Sequence, residues 1–181
     1  MKPLKIFRGF PIISLVLCSV LVLGCAHTPT DPTLEEDMLS FTLSLDRESY
    51  SDSDPISVNF KLTNNGANSV VVNGRFALNT AISVPSEFGD IYCLISKPSS
   101  KVARFGAYVN VVDLNSRHFV TLGSTEMIER TYPNLDDFYD FNEFGRYSIQ
   151  AIYENQSDPP SGVVAWKGEL ASNVVYFSIK P

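Results

Sequence analysis

The chain has little of what most enzyme chemistry draws on. Its 181 residues include two histidines and three cysteines. His27 stands in a proline-rich stretch, and His118 stands alone in "SRHFVTL". A zinc site needs three or four His, Cys or carboxylate ligands, and neither HExxH nor CxxC occurs. The nucleophile elbow GxSxG and the phosphate-cradling GxxxxGK-Ser/Thr are missing as well. A Cys–His nucleophile pair in the body would have to join Cys93 to His118, and nothing in the sequence brings them together. Cys93 sits between apolar neighbours in "DIYCLIS", where a lone cysteine usually behaves as a small hydrophobe. The expectation is no catalytic residue, no metal site and no cofactor.

Positive charge is also short. Fourteen Lys and Arg stand against 20 Asp and Glu, for a formal charge of −6. The first 24 residues carry Lys2, Lys5 and Arg8 and no acid, so the remainder carries −6 − 3 = −9. DNA or RNA binding needs a basic patch that such a body lacks, so no nucleic-acid partner is expected. Cys18 lies inside an apolar run, Cys25 closes it, and Cys93 is the one cysteine of the body. If the first is removed and the second acylated, no intrachain disulfide can form. A body of about 140 residues buries roughly two-thirds of its unfolded surface and needs no covalent staple.

What is present begins at the N-terminus. "MKPLKIFRGFPIISLVLCSVLVLGC" opens basic, continues apolar from Phe10 to Leu23, and ends on small Gly24 before Cys25. This is the three-part layout of a secretory signal peptide. The segment Val22-Leu23-Gly24-Cys25 resembles the bacterial lipoprotein signal, although leucine is commoner than valine at its first position. The resemblance implies lipid transfer to the Cys25 sulfur, cleavage after Gly24, and acylation of the new amino group. Ala26 follows rather than aspartate, which leans toward the outer membrane. Two other readings stay open: an ordinary cleaved signal with a chance cysteine, and an uncleaved anchor. The 14 residues from Phe10 to Leu23 would span only ~21 Å as a helix, against a bilayer core of about 30 Å. Residues 25–38, "CAHTPTDPTLEEDM", hold two prolines and three threonines and read as a flexible tether, at most ~45 Å long when extended.

From residue 39 to 181 the pattern is period two. "LSFTLSLD" and "ISVNFKLT" alternate apolar and polar, the signature of half-buried strands. "DIYCLIS", "AYVNVVDL", "HFVTL" and "MIERTY" continue it, and Asn73-Gly74 is a hairpin dipeptide within "SVVVNGRFALN". No stretch carries a helical apolar period, and "NLDDFYDFNEF" has room for one short helical turn. In "FGRYSIQAIYEN" Tyr147, Ile149, Ala151 and Tyr153 share a face, and in "NVVYFSIK" Val175, Phe177 and Ile179 do. The fold class is all-β.

Gly145 followed by Tyr147 at a strand start resembles the tyrosine corner of immunoglobulin-like sandwiches. Ile149 stands where antibody domains have cysteine, so the antibody subclass is excluded. Residues 39–63 and 119–181 resemble extracytoplasmic bacterial immunoglobulin-like domains. The resemblance implies an antiparallel β-sandwich, with Tyr147 structural and an enlarged middle region over about 75–118. Trp166 is expected to pack under a crossing loop.

Acids gather in "SDSD" (51–54) and in "LDDFYDFNE", which holds Asp136, Asp137, Asp140 and Glu143. Calcium favours oxygen-rich loops, but the DxDxDG pattern is missing, and acidic turns are ordinarily just solvated. The expected role is a binding module anchored to the membrane through Cys25 and presented to an envelope protein partner. The alternative is an extracytoplasmic protease inhibitor of the same fold.

Overall fold

The computed structural model describes residues 38–78, 90–106 and 114–181. Their strands are β1 (Leu39–Leu45), β2 (Ser49–Ser51), β3 (Val58–Asn64), β4 (Val70–Asn73), β5 (Ile91–Ser96), β6 (Phe119–Leu122), β7 (Met127–Tyr132), β8 (Gly145–Asn155), β9 (Gly168–Ala171) and β10 (Val175–Lys180). The helical content of the described residues is two 3₁₀ turns, Ser116–His118 and Leu135–Asp137. No helix among them is long and apolar enough to cross a membrane. The protein is all-β.

One sheet has the order β1-β3-β7, with both pairs antiparallel. The second is organised on β8, whose eleven residues serve three partners. β5 lies along one edge, while β10 and then β9 share the other. β2 joins β10 in parallel, and β4 and β6 form a separate antiparallel pair.

Period two explains the strands and their register. Leu39, Phe41 and Leu43 of β1 and Val58, Phe60 and Leu62 of β3 are all buried. Burying one such side chain is worth about 1.5–3 kcal/mol. A one-residue slip would turn each set of three to solvent. Tyr147, Ile149, Ala151 and Tyr153 of β8 and Phe177 and Ile179 of β10 supply the facing layer. Phe41 of the first sheet meets Tyr153 of the second at 5.7 Å between ring centroids. The two inner faces therefore share one core, in the manner of a β-sandwich.

β1 is an edge strand, and its open side is capped by a side chain. The Asn173 carboxamide accepts from the Leu43 amide and donates to the Leu43 carbonyl, both at 3.0 Å. It occupies the hydrogen-bonding groups that a further strand would use.

One expectation needs correction. Asn73-Gly74 does not turn a hairpin, since β4 pairs with β6. The Asn73 side chain instead donates to Asp90 and accepts from the Arg75 amide. The stretch "RESYSDSDP" after β1, turn-rich in its residues, also holds a strand, because Tyr50 is buried at 1% exposure and meets Phe177 edge-on at 5.7 Å. That contact draws Ser49–Ser51 into the sheet. The segment "AYVNVVDL" lies almost wholly outside the described residues.

Candidate functional site

The registers bring one set of strand ends together. Val58 opposes Tyr132, Ile179 opposes both Gly145 and Tyr50, and Ser96 opposes Ser148. The connections leaving these ends include the two acidic stretches. Asp52 and Asp54 from one, with Asp136 and Asp140 from the other, line a single cleft of about 360 Å³ beside Tyr139 and Phe141. Runs some eighty residues apart in sequence become one acidic surface.

Three of these acids are engaged locally. Asp54 accepts from the Ser51 amide at 2.8 Å and from Arg47 at 3.3 Å. Asp136 accepts from the Ile56 amide at 3.1 Å. Asp140 accepts from Lys97 Nζ and the Arg104 amide, both at 2.6 Å. Burial works against ionisation of Asp140, but the bonds from Lys97 and Arg104 outweigh it and hold the carboxyl below its ordinary range. Lys97 is itself buried and also donates to Asn142 at 2.8 Å. Glu143 accepts from the amide and hydroxyl of Ser99. The acids thus cap loop backbone, as short polar side chains do in turns. Asp52 alone makes no hydrogen bond or ion pair among the described residues. No group of three or more metal-ligating side chains is assembled among them. What the cleft offers is negative potential in a concave, polar setting, suited to a cationic group from outside.

Tyr147 lies next to this end. Its ring is 1% exposed and stacks on Phe177 at 5.2 Å. Its hydroxyl donates to the Glu143 carbonyl at 2.8 Å and accepts from the Glu143 amide at 3.0 Å. Gly145 enters the strand at φ +130°, and a Cβ there would meet Pro98 at 3.0 Å. Only glycine combines that angle with that approach.

Cys93 and His118 have separate surroundings. The Cys93 amide donates to the Tyr139 hydroxyl at 3.0 Å, and burial pushes the thiol up to about 12. A nucleophilic cysteine requires the opposite shift. His118 accepts from the Asn115 amide in an exposed 3₁₀ turn. Val22, Leu23, Gly24 and Cys25 lie outside the described residues.

Sequence reading missed a buried ion pair between Arg75 and Asp90. Asp90, 2% exposed, accepts from Arg75 Nε at 2.9 Å and Arg75 Nη2 at 2.8 Å. It also accepts from Asn73 at 2.6 Å and the Ala77 amide at 2.9 Å. Phe76 between them is held at φ +52° and is buried. The partners are fifteen residues apart and belong to no motif, so composition gave no signal for them. No family model and no curated protein sequence matches the chain.

Proposed function

We propose that the protein is a lipid-anchored module of the bacterial cell envelope, held at the outer membrane through Cys25. Its sandwich, read as immunoglobulin-like, presents the acidic loop end to a cationic surface on an envelope protein. The observation that carries this reading is polarity along the domain. The chain enters β1 at Leu39, opposite Asn64, and β1 runs from there toward the acidic end, where Leu45 opposes Val58. Six steps of ~3.3 Å set the cleft about 20 Å beyond the point where the tether joins. An anchored domain built in this sense holds the cleft away from its attachment. The Tyr147–Glu143 bonds support the immunoglobulin-like reading.

Two measurements test it. Intact-mass analysis of the membrane form should show loss of residues 1–24 plus lipid mass, and an unmodified Cys25 or a retained Met1 overturns the anchor. Pull-down of the acylated protein from solubilised membranes should yield one stoichiometric envelope partner, which Asp52→Lys releases and rising salt weakens. A partner indifferent to Asp52→Lys and to salt overturns the role of the cleft. A captured protease inhibited by the protein favours the inhibitor reading instead.

A further inference from the structure

The end of the domain opposite the cleft carries a feature that the core does not explain. β8 and β9 are joined by residues 156–167, and the tip of this connection, "PPSGVVA" (159–165), contains no charged residue. Its feet, Pro159 and Ala165, are buried, while residues 160–164 are exposed. Val163 is 47% exposed and Val164 is 81% exposed, the highest exposure of any large apolar side chain among the described residues. The connection is braced from below. The Gly162 amide donates to the Pro159 carbonyl, and Asp158 accepts from the Ala165 amide and from Lys167. Asn155 donates to the Ser157 and Trp166 carbonyls. Trp166 stacks on Tyr153 at 5.9 Å, and its ring lies so close over Gly168 that a Cβ there would meet it at 2.8 Å. Two adjacent valines are therefore held outward on a stiff, uncharged turn.

The place of this turn says what it faces. Its foot bonds to β4 through the Trp166 amide and the Val71 carbonyl. β4 pairs with β6, where Val70 opposes Leu122. The Asn64 carboxamide reaches the Leu122 carbonyl, and Asn64 opposes Leu39. The turn and the entry point of the tether thus belong to the same end of the domain. The chain between Cys25 and Leu39 extends at most ~45 Å, which keeps that end within reach of the anchoring bilayer.

We infer that the 159–165 turn is a lipid-contacting wedge, with Val163 and Val164 seated in the interfacial layer of the membrane that holds the acyl chains. This rests on the anchor reading above. The apolar face of an interfacial helix seats about 5–10 Å into that layer, and the two valines enter it by the same burial of apolar area. The second contact orients the anchored domain, with the acidic cleft pointing away from the lipid.

Trp166, the only tryptophan, lies two residues from Val164 and is a built-in reporter. The acylated protein is reconstituted into phosphatidylethanolamine–phosphatidylglycerol vesicles with acyl chains brominated at shallow positions. Trp166 emission should be quenched relative to plain vesicles. The double substitution Val163→Ser/Val164→Ser should cut that quenching by roughly two- to threefold, while flotation with vesicles and the melting temperature stay unchanged. Equal emission in brominated and plain vesicles, with the protein still floating, overturns the wedge and leaves the anchor standing. Failure to float overturns the anchor. The wedge is then read on the chain from Cys25 coupled to a maleimide phospholipid, where quenching supports it and no quenching overturns it. A photo-crosslinker at position 164 that captures protein in place of lipid also overturns it.

Discussion

Tyr147 and Glu143 exchange two hydrogen bonds through one hydroxyl, which donates to the Glu143 carbonyl and accepts from the Glu143 amide. The phenol thereby closes the loop that enters β8, while its ring fills the space between Phe141 and Phe177. Tyr147→Phe keeps the ring and leaves both backbone groups unpaired, at about 1–3 kcal/mol. Tyr147→Ala also removes the ring, at about 3–5 kcal/mol. Each kcal/mol lowers the melting temperature by roughly 2–5 °C in a domain of this size. Thermal denaturation of both variants separates hydroxyl from ring. A Tyr147→Phe protein that melts with the wild type assigns the residue to packing alone.

The Arg75–Asp90 pair, with side chains 7% and 2% exposed, should be intolerant of single substitutions. Asp90→Leu removes the carboxylate that Arg75 Nε and Nη2 both bond, and Arg75→Met leaves a buried carboxylate without that cation, each at about 3–5 kcal/mol. The double variant should recover part of that loss, because both members of the ion pair are gone. Denaturant midpoints for the two singles and the double complete the cycle, and strict additivity would deny the coupling.

Stability should fall in acid, partly through Asp140. Its folded carboxyl titrates below the ordinary 3.8. The stabilisation it adds is therefore complete above the unfolded value and is lost as pH falls through the folded one. The group is 40% exposed, so solvent screens much of the effect. Asp140→Asn should be less stable near neutrality and show a shallower decline below pH ~4. Parallel curves for variant and wild type would place the acid sensitivity elsewhere.

Cys93 should resist thiol reagents in the folded protein and react fully once denaturant is added. With Cys18 and Cys25 replaced by serine, the signal belongs to Cys93 alone. Burial raises this thiol from 9.0 to about 12. Its contribution is thus intact below pH 9.0 and lost as pH rises toward 12. Rapid native labelling at pH 7 would bring the sulfur to the surface.

Strands with alternating apolar residues were legible from sequence because their burial is a local property. Leu39, Phe41 and Leu43 announce a face without knowledge of any neighbour, and so do Tyr147, Ile149 and Ala151. Tyr50 was not legible. It is one aromatic in the polar stretch "RESYSDSDP", and Phe177, which covers it, lies far along the chain. The acidic stretches were visible as composition, but their union in one cleft depends on β2 lying beside β10 and on β10 meeting the start of β8. The turn at 159–165 carries prolines and a glycine but no periodic apolar face. Its meaning comes from the buried feet and from the strand end on which it sits.

β10 is the last strand in sequence and an inner strand in space, between β2 and β8. Until Val175–Lys180 are available, Tyr50 has no Phe177 to close over it, and the second sheet is split. Structure that waits on such distant pairings forms slowly. A chain cut before Val175 therefore loses two strands at once, because Ser49–Ser51 take their place in the sheet from β10.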